Sequence, residues 1–314
     1  MAESKGMGRR VAKLKKERGR KRVIRVAAVN ITMHPHDETS YLRLLEDARR
    51  SRTAIPLHGK SQGRVGVFVP LDATDLEGPH YGEFHRYINL NVDGRWYDTD
   101  AGKQAEADDV KKVTIPSHLK PEYEAYRFVF YPELHRLFFE TRAPGVTVLS
   151  PSHVKKLLDG LFLTPRLFER YGKVEVTVEP EADTVTKILA MPVLRRLKIE
   201  VNRPNTDDFS AVERDVYDRL EAETAESIQE TLVAQKGASL TPTQKTKHLC
   251  AVAASNGEVV GEGKTANGRA IRVSTSDYPW VEPVEYLSSV DDGRYTFLRK
   301  AEEMFSALKE RIRK

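Results

Sequence analysis

The stretch VIRVAAVNITM (residues 23–33) is a nearly continuous run of β-branched and small apolar residues. Such a run is typical of a strand that is covered on both faces, because neither face keeps the polar side chains that water would favour. HPHD (34–37) interrupts the run, and apolar residues then recur at the spacing of one helix face from Tyr41 to Ala48. The segment therefore predicts a buried strand followed by a helix over about residues 39–52.

Strand and helix patterns follow one another in both orders along the rest of the chain, which predicts an α+β fold of mixed sheets and packed helices. Strands are predicted at residues 64–70, 127–131, 145–150, 174–180 and 195–201, and helices at 151–161, 164–171, 181–191, 208–235 and 294–313. Strand, short helix and strand over 174–201 have the length of a βαβ unit. Asn-Gly pairs at 256–257 and 267–268 indicate the turns of a β-meander over 248–275.

Asp93-Gly94 is a strong hairpin signal between the segments EFHRYINLNV (83–92) and RWYDTD (95–100). In the first segment the aliphatic residues alternate with polar ones, so they are expected to face the core. The residues expected on the opposite face are Tyr87, Asn89 and Asn91.

The first 22 residues hold the excess positive charge of the chain. They contain ten Lys or Arg against two acids, a net charge of +8, whereas the whole chain carries +5 and the remainder therefore −3. A dense cationic segment without a hydrophobic stripe predicts a disordered or partly helical arm that binds a polyanion through the release of counterions. The alternatives are a solubilising tail and an arm that binds an acidic protein or a membrane surface. The candidate phosphate-binding residues are Arg9, Arg10, Lys13, Lys15, Lys16, Arg18, Arg20, Lys21 and Arg22.

Three segments are expected: the basic arm (1–22), an α+β domain (23–204), and a C-terminal region of helix and β-meander (205–314). The C-terminal region either packs with 23–204 as one unit or stands apart from it, since VNRPNTDD (201–208) is the best internal boundary.

The single cysteine, Cys250, excludes an intrachain disulfide and a zinc cluster of thiolates, and its apolar surroundings predict a buried strand residue. The chain has no run of 18 apolar residues and no signal-peptide pattern, so we expect a cytoplasmic bacterial protein with no membrane partner. No pattern calls for a cofactor: GEVVGEGKTANGR (257–269) lacks the spacing of a phosphate-binding loop, and no GxSxG occurs.

His34, His36 and Asp37 form the cluster that most resembles a catalytic or metal-binding site. Two imidazoles and a carboxylate can hold a metal, and a histidine can act as a general base. Asp37 is equally the expected N-cap of the following helix, and no HExxH, CxxC or second acidic cluster supports a metal. A capped turn is therefore favoured and no metal site is predicted, with catalysis by these three residues as the alternative.

Residues 81–97 combine aromatic side chains with His and Arg. Exposed aromatic rings on a sheet stack on unpaired bases, although such residues also form core or cross-strand pairs. Within this stretch, Tyr87, Asn89 and Asn91 are the candidate base contacts.

NITMHPHD (30–37), followed by a leucine-rich helix, and INLNVDGRWYDTD (88–100) resemble an uncharacterised bacterial family found near mobile elements and phage-defence genes. The resemblance covers about the first third of the chain. It implies association with phage or plasmid nucleic acid and assigns no catalytic residue.

The sequence thus favours a nucleic-acid-binding protein, with RNA or single-stranded nucleic acid preferred. One alternative is a nuclease-like effector that uses His34, His36 and Asp37. A second is a non-catalytic subunit of a larger assembly, whose acidic helix at 208–235 binds a protein partner. The sequence leaves enzyme activity open and gives more weight to binding.

Overall fold

A computed structural model describes residues 20–34, 38–92, 94–143, 145–205 and 211–312. Within these ranges, eight helices and fourteen strands form antiparallel sheets with helices packed on them, so the predicted α+β fold is confirmed. None of the helices in this part of the chain is long and apolar enough to cross a membrane.

The strands are β1 Lys21–Met33, β2 Ile55–Pro56, β3 Ser61–Pro70, β4 His80–Ile88, β5 Tyr97–Asp98, β6 Lys103–Gln104, β7 Glu124–Tyr131, β8 Arg136–Arg142, β9 Val174–Val178, β10 Val193–Asn202, β11 Ser227–Val233, β12 Gly257–Lys264, β13 Ala270–Ser274 and β14 Val281–Leu287. The α-helices are α1 Glu38–Ser51, α2 Ala107–Val110, α3 Pro151–Phe162, α4 Pro165–Tyr171, α5 Thr184–Leu189, α6 Ala211–Ala222, α7 Gln244–Asn256 and α8 Gly293–Ile312.

β1 lies inside the larger sheet, whose order is β14-β1-β8-β7-β4-β3-β2. β8 lies on one side of β1, while β14 and β9 share the other side, β14 opposite residues 21–27 and β9 opposite residues 29–33. Residues 26–33 are all buried, because helices cover both faces of this strand. The burial on both faces that the sequence predicts for this segment is confirmed.

Each face of the larger sheet has its own hydrophobic core. On one face, α1, α3 and α4 pack against side chains such as Val29 and Ile31 of β1. On the other face, α8 packs against Ile24, Val26 and Ala28. Alternation along one strand therefore sends odd-numbered residues to the first core and even-numbered residues to the second.

The smaller sheet has the order β11-β10-β12-β13, and α5, α6 and α7 cover it. α7 also contacts β1 and β9 of the larger sheet. Asn30 donates to the carbonyl of Ser255 (2.9 Å) and to Asn256 Oδ1 (3.1 Å). Beside them lies a buried ion pair in which Arg136 Nε is 2.7 Å from Glu179 Oε1. A buried polar network thus joins the two sheets.

The predicted helix at 208–235 is wrong beyond Ala222. Residues Ser227–Val233 form β11 and pair with β10. Thr224 adopts a left-handed φ of 50°, which ends the helical path, and the apolar residues beyond it alternate as in a strand. The acidic surface proposed for a protein partner is consequently divided between a helix and a strand.

Two further topological predictions are wrong. β9 belongs to the larger sheet and β10 to the smaller one, so residues 174–201 are not a βαβ unit. Residues 244–256 form α7, so of the expected meander the β12–β13 hairpin remains, with its turn at Asn267-Gly268.

Cys250 is buried as predicted, but on a helix, where burial raises the pKa of its thiol to about 12. Residues 145–150 form no strand.

The predicted hairpin about Asp93-Gly94 is also wrong. β4 ends at Ile88 and already pairs with β3 on one edge and β7 on the other, so neither edge is open to a third strand. Tyr97–Asp98 pairs instead with Lys103–Gln104. Asp93 itself lies outside the described residues.

The predicted division at residues 204/205 does not coincide with the sheets. β10 ends just before it and belongs to the smaller sheet, whereas β14 and α8 lie far beyond it and return to the larger sheet. The described C-terminal residues therefore contribute to both sheets.

Candidate nucleic-acid interface

β4 alternates between the two faces of the larger sheet, and this alternation positions the predicted base-contacting residue Tyr87. Phe84 is buried in the core under α1 and α3. The neighbouring positions, Tyr81, Glu83, His85 and Tyr87, therefore lie on the face that carries α8.

The first turn of α8 covers the beginning of this row. The guanidinium of Arg294 stacks over the ring of Tyr81, 4.2 Å from its centroid, and the Tyr81 hydroxyl donates to Glu83 Oε1 (2.7 Å). Burial, together with the bond to Glu83, raises the pKa of Tyr81 far above its usual range. Tyr81 is thus a packed structural residue and is only 5% exposed.

Beyond Tyr81 the same face is partly open. Tyr87 is half-buried, and its hydroxyl makes no hydrogen bond within the described ranges. Gln62 and Arg64 of β3 lie directly opposite Tyr87 and His85, and both are half-buried. Tyr123, 59% exposed, packs edge-on against the His85 ring at 5.1 Å between centroids. We call these five residues the open face.

The predicted contacts Asn89 and Asn91 lie on the loop that follows β4. Both are exposed. Lys120 Nζ donates to Asn89 Oδ1 (2.8 Å), and the Asn89 backbone N–H donates to the carbonyl of Lys60 (2.9 Å). The structure therefore brings Asn89 and two lysines together at the end of the strand that carries Tyr87, although the alternation predicted through Val92 stops at Ile88.

The register of the sheet connects the basic arm to this end of the molecule. Across β1, β8, β7 and β4, Ala27 lies level with Gly82. Because β1 and β4 run in opposite directions, the end of β1 that joins the arm lies at the same end of the sheet as Tyr87, with β8 and β7 between the two strands. Arg22 lies opposite Tyr286, which is packed under α8, so Arg22 is on the same face as Tyr87.

The described part of the arm is short. Arg20, Lys21 and Arg22 are exposed, and Lys21 forms an ion pair with Glu285 on β14. The other predicted phosphate contacts, Arg9, Arg10, Lys13, Lys15, Lys16 and Arg18, lie outside the described residues.

The predicted His34, His36 and Asp37 cluster is described at His34 alone, since the other two residues lie outside the described ranges. His34 Nε2 donates to the backbone carbonyl of Arg203 (3.0 Å), which ties the end of β1 to the segment after β10. His34 lines a cleft of about 400 Å³ with Arg203 and Glu221, which are paired with each other. Nε2 is therefore engaged, and no group of three or more His, Cys, Asp or Glu among the described residues could hold a metal.

Sequence reasoning missed a second candidate site, centred on His80 at the start of β4. His80 lines a cleft of about 470 Å³ whose other charged residues come from α1 and α4. In the sequence those arginines are indistinguishable from an ordinary solvated helix face, because nothing local indicates that α1 and α4 meet.

A comparison with protein-family models matches residues 22–302 to the domain of unknown function DUF4747. The chain belongs to this family. The matched range includes the open face and both clefts, and it begins at Arg22, the second residue of β1. The comparison with curated proteins gave no match.

Proposed function

We propose that this protein binds single-stranded nucleic acid, with RNA preferred, across the open face. The observation that carries the proposal is the position of Tyr87: a partly exposed tyrosine on a partly open strip of sheet, at the same end of the sheet as the root of a basic arm. Tyr123 adds a second exposed ring on the same strip.

The open face and the basic arm make different contacts with the nucleic acid. Aromatic rings stack on the faces of unpaired bases irrespective of base identity, whereas the bases inside a duplex do not expose their faces. Arg64 on the open face and Lys60 and Lys120 at the strand end supply cations for phosphates. The arm adds a larger, sequence-independent attraction from its excess of eight positive charges.

The resemblance to a family found near mobile elements and phage-defence genes supplies a biological source for the ligand. Under this proposal the nucleic acid belongs to a phage or a plasmid, and the binding domain acts in the bacterial cytoplasm. The nuclease and the non-catalytic subunit remain the competing proposals.

The test measures fluorescence anisotropy of labelled 12-nucleotide RNA, single-stranded DNA and duplex DNA titrated with the full chain. We expect RNA and single-stranded DNA to bind more tightly than the duplex. Tyr87→Ala and Tyr123→Ala should each weaken single-strand binding, since a stacked base is worth about 1–3 kcal/mol.

The matched control is Tyr278→Ala. Tyr278 is also exposed and also has a nearby cation, the Lys187 ammonium 5.9 Å from its ring, but it lies beside the opposite edge of the larger sheet. Wild-type affinity in both open-face variants would refute the proposal. An absence of binding to all three probes would favour the subunit, and degradation of the RNA would favour the nuclease.

A further inference from the structure

The His80 cleft lies on the other face of the larger sheet from Tyr87 and at the other end of β4. It is lined by residues of α1, α4, the end of β3 and the start of β4, among them Arg50, Phe68, His80 and Arg170. Its volume of about 470 Å³ is within the range of small-molecule sites, roughly 300–1,000 Å³. The open face contributes no residue to it, so this site is independent of the function proposed above.

Two arginines are held at the cleft by carboxylates. Arg170 Nη1 donates to Asp47 Oδ2 (2.7 Å), which also accepts the Tyr171 hydroxyl (2.8 Å). Arg50 Nε donates to Glu46 Oε1 (2.6 Å). Each guanidinium has five N–H donors and uses one in these bonds, and both side chains are more than half exposed. Such forks suit the oxygens of a phosphate.

His80 contributes a different group. Its Nδ1 lies 2.8 Å from the carbonyl oxygen of Gly78, so Nδ1 carries the proton and donates. Nε2 makes no hydrogen bond within the described residues. Burial lowers the pKa of His80, which favours the neutral ring. A neutral ring with a protonated Nδ1 presents Nε2 as a hydrogen-bond acceptor.

The floor of the cleft is apolar. Phe68 stacks against His80, with 4.8 Å between centroids, and Leu42 and Pro70 also line the space. The ligand that suits this set carries an anion for the arginines, a donor for His80 Nε2 and an apolar body. Phosphate alone does not meet these conditions, because it brings no apolar body and a dianion has no proton to donate to Nε2.

We propose that this cleft binds a ribonucleoside monophosphate, with Arg50 and Arg170 on the phosphate and a ribose hydroxyl donating to His80 Nε2. The ribonucleotide is either free in solution or the 5′-phosphorylated end of an RNA chain, since both present the same groups. The hydroxyl contact makes the site selective for ribose over a sugar that lacks hydroxyls.

Isothermal titration calorimetry of the full chain tests this with adenosine 5′-monophosphate, its 2′,3′-dideoxy analogue and inorganic phosphate. We expect saturable binding of the ribonucleotide, about tenfold weaker binding of the dideoxy analogue, and still weaker binding of phosphate. Equal affinity for the two nucleotides, or no saturable binding of the ribonucleotide, would overturn the proposal.

Four variants locate the binding. Arg170→Gln and Arg50→Gln should weaken both nucleotides, while Arg166→Gln, an exposed arginine on the same helix as Arg170 but outside the cleft, should weaken neither. His80→Asn keeps an amide that can donate to Gly78 but removes Nε2, so it should abolish the preference for ribose and leave the dideoxy analogue unaffected. If His80→Asn does not fold, the exposed arginine variants decide alone.

Two further measurements complete the test. One distinguishes a free nucleotide from an RNA end as the ligand, and the other separates this proposal from the function proposed for the open face. A 5′-phosphorylated RNA hexamer that competes with the mononucleotide more strongly than its unphosphorylated counterpart identifies an RNA end as the ligand, and equal competition identifies the free nucleotide; the site stands in either case. Tyr87→Ala should leave mononucleotide affinity unchanged. Failure of the open face therefore shows in oligonucleotide binding, and failure of this cleft shows in the mononucleotide titration.

Discussion

Two tyrosines on one strand show how strongly a residue's role depends on distant sequence. Tyr81 and Tyr87 lie on the same face of β4, six positions apart, and their local sequence does not distinguish them. Tyr81 is packed because Arg294, more than 200 residues away, stacks on it, whereas Tyr87 lies beyond the end of that cover. The sequence predicts an aromatic face here, and only the packing of α8 decides which ring a ligand can reach.

The two tyrosines should respond differently to truncation. Tyr81→Ala removes a buried ring together with its bond to Glu83, and should lower the free energy of unfolding by about 3–5 kcal/mol. Tyr87→Ala should lower it by no more than about 1.5 kcal/mol, because the ring is partly exposed and unbonded. Urea denaturation measures both values, and a similar large loss in the two variants would show that Tyr87 belongs to the core.

The buried ion pair between Arg136 and Glu179 is a second feature that a residue-level pattern does not indicate. Arg136→Met leaves the Glu179 carboxylate buried without its cation, and this should cost about 3–5 kcal/mol of stability. The double variant Arg136→Met/Glu179→Leu should recover part of the loss, since no charge is then left buried. A single variant within about 1 kcal/mol of wild type in urea would show that the pair does not stabilise the buried polar network.

Among the helices and strands, helix starts are predicted well, because the capping residue and the proline that mark them lie in the local sequence. Ser150 accepts the His153 N–H at the start of α3, and proline stands at the first position of both α3 and α4, as their sequences indicate. Predictions failed where pairing partners decide the outcome. The segment after Ala222 carries helix-compatible spacing, but β10 offers an edge and the segment pairs with it as β11.

Glu124 connects β7, β4 and the loop at Thr147. Protonation of its carboxylate should make the stability of the fold depend on pH in the acidic range. Partial burial would raise its pKa, but bonds from Tyr126, Thr147 and Arg86 outweigh burial and lower the pKa from 4.5 to about 2. A lowered folded-state pKa stabilises the fold above pH 4.5, and this stabilisation is lost as pH falls towards 2. Glu124→Gln should be less stable at pH 7 and should lose less between pH 4.5 and 2. A parallel loss in wild type and variant would contradict this role.

In the whole molecule, the arrangement of the sheets and the distribution of charge differ in how far the sequence predicts them. The strand order and the distribution of the two cores could not be predicted, because residues 281–312 return to the larger sheet after the smaller sheet is complete. The charge asymmetry needs no such information, since it follows from counting residues. It therefore gives the most direct sequence-based prediction of function, and β1 gives the arm a fixed root.

Deleting residues 1–19 should remove most of the salt-dependent affinity for nucleic acid. If the full chain neutralises about five phosphates, the slope of log affinity against log salt is roughly −3.5 to −4.5, and the deletion should flatten it. Thermal stability should change little, because β1 begins at Lys21 and remains intact. An unchanged slope in the deletion would assign the phosphate contacts to the domain.

The function proposed for the open face requires that its side chains contact bases. The direct measurement is ultraviolet cross-linking of the full chain to a single-stranded RNA, followed by mass spectrometry of the cross-linked peptides. We predict cross-links at Tyr87 and Tyr123, which persist at salt concentrations that release the arm and which a mononucleotide bound at His80 does not displace. Cross-links confined to other parts of the chain, with both tyrosines unmodified while the RNA is bound, would show that the open face does not contact bases.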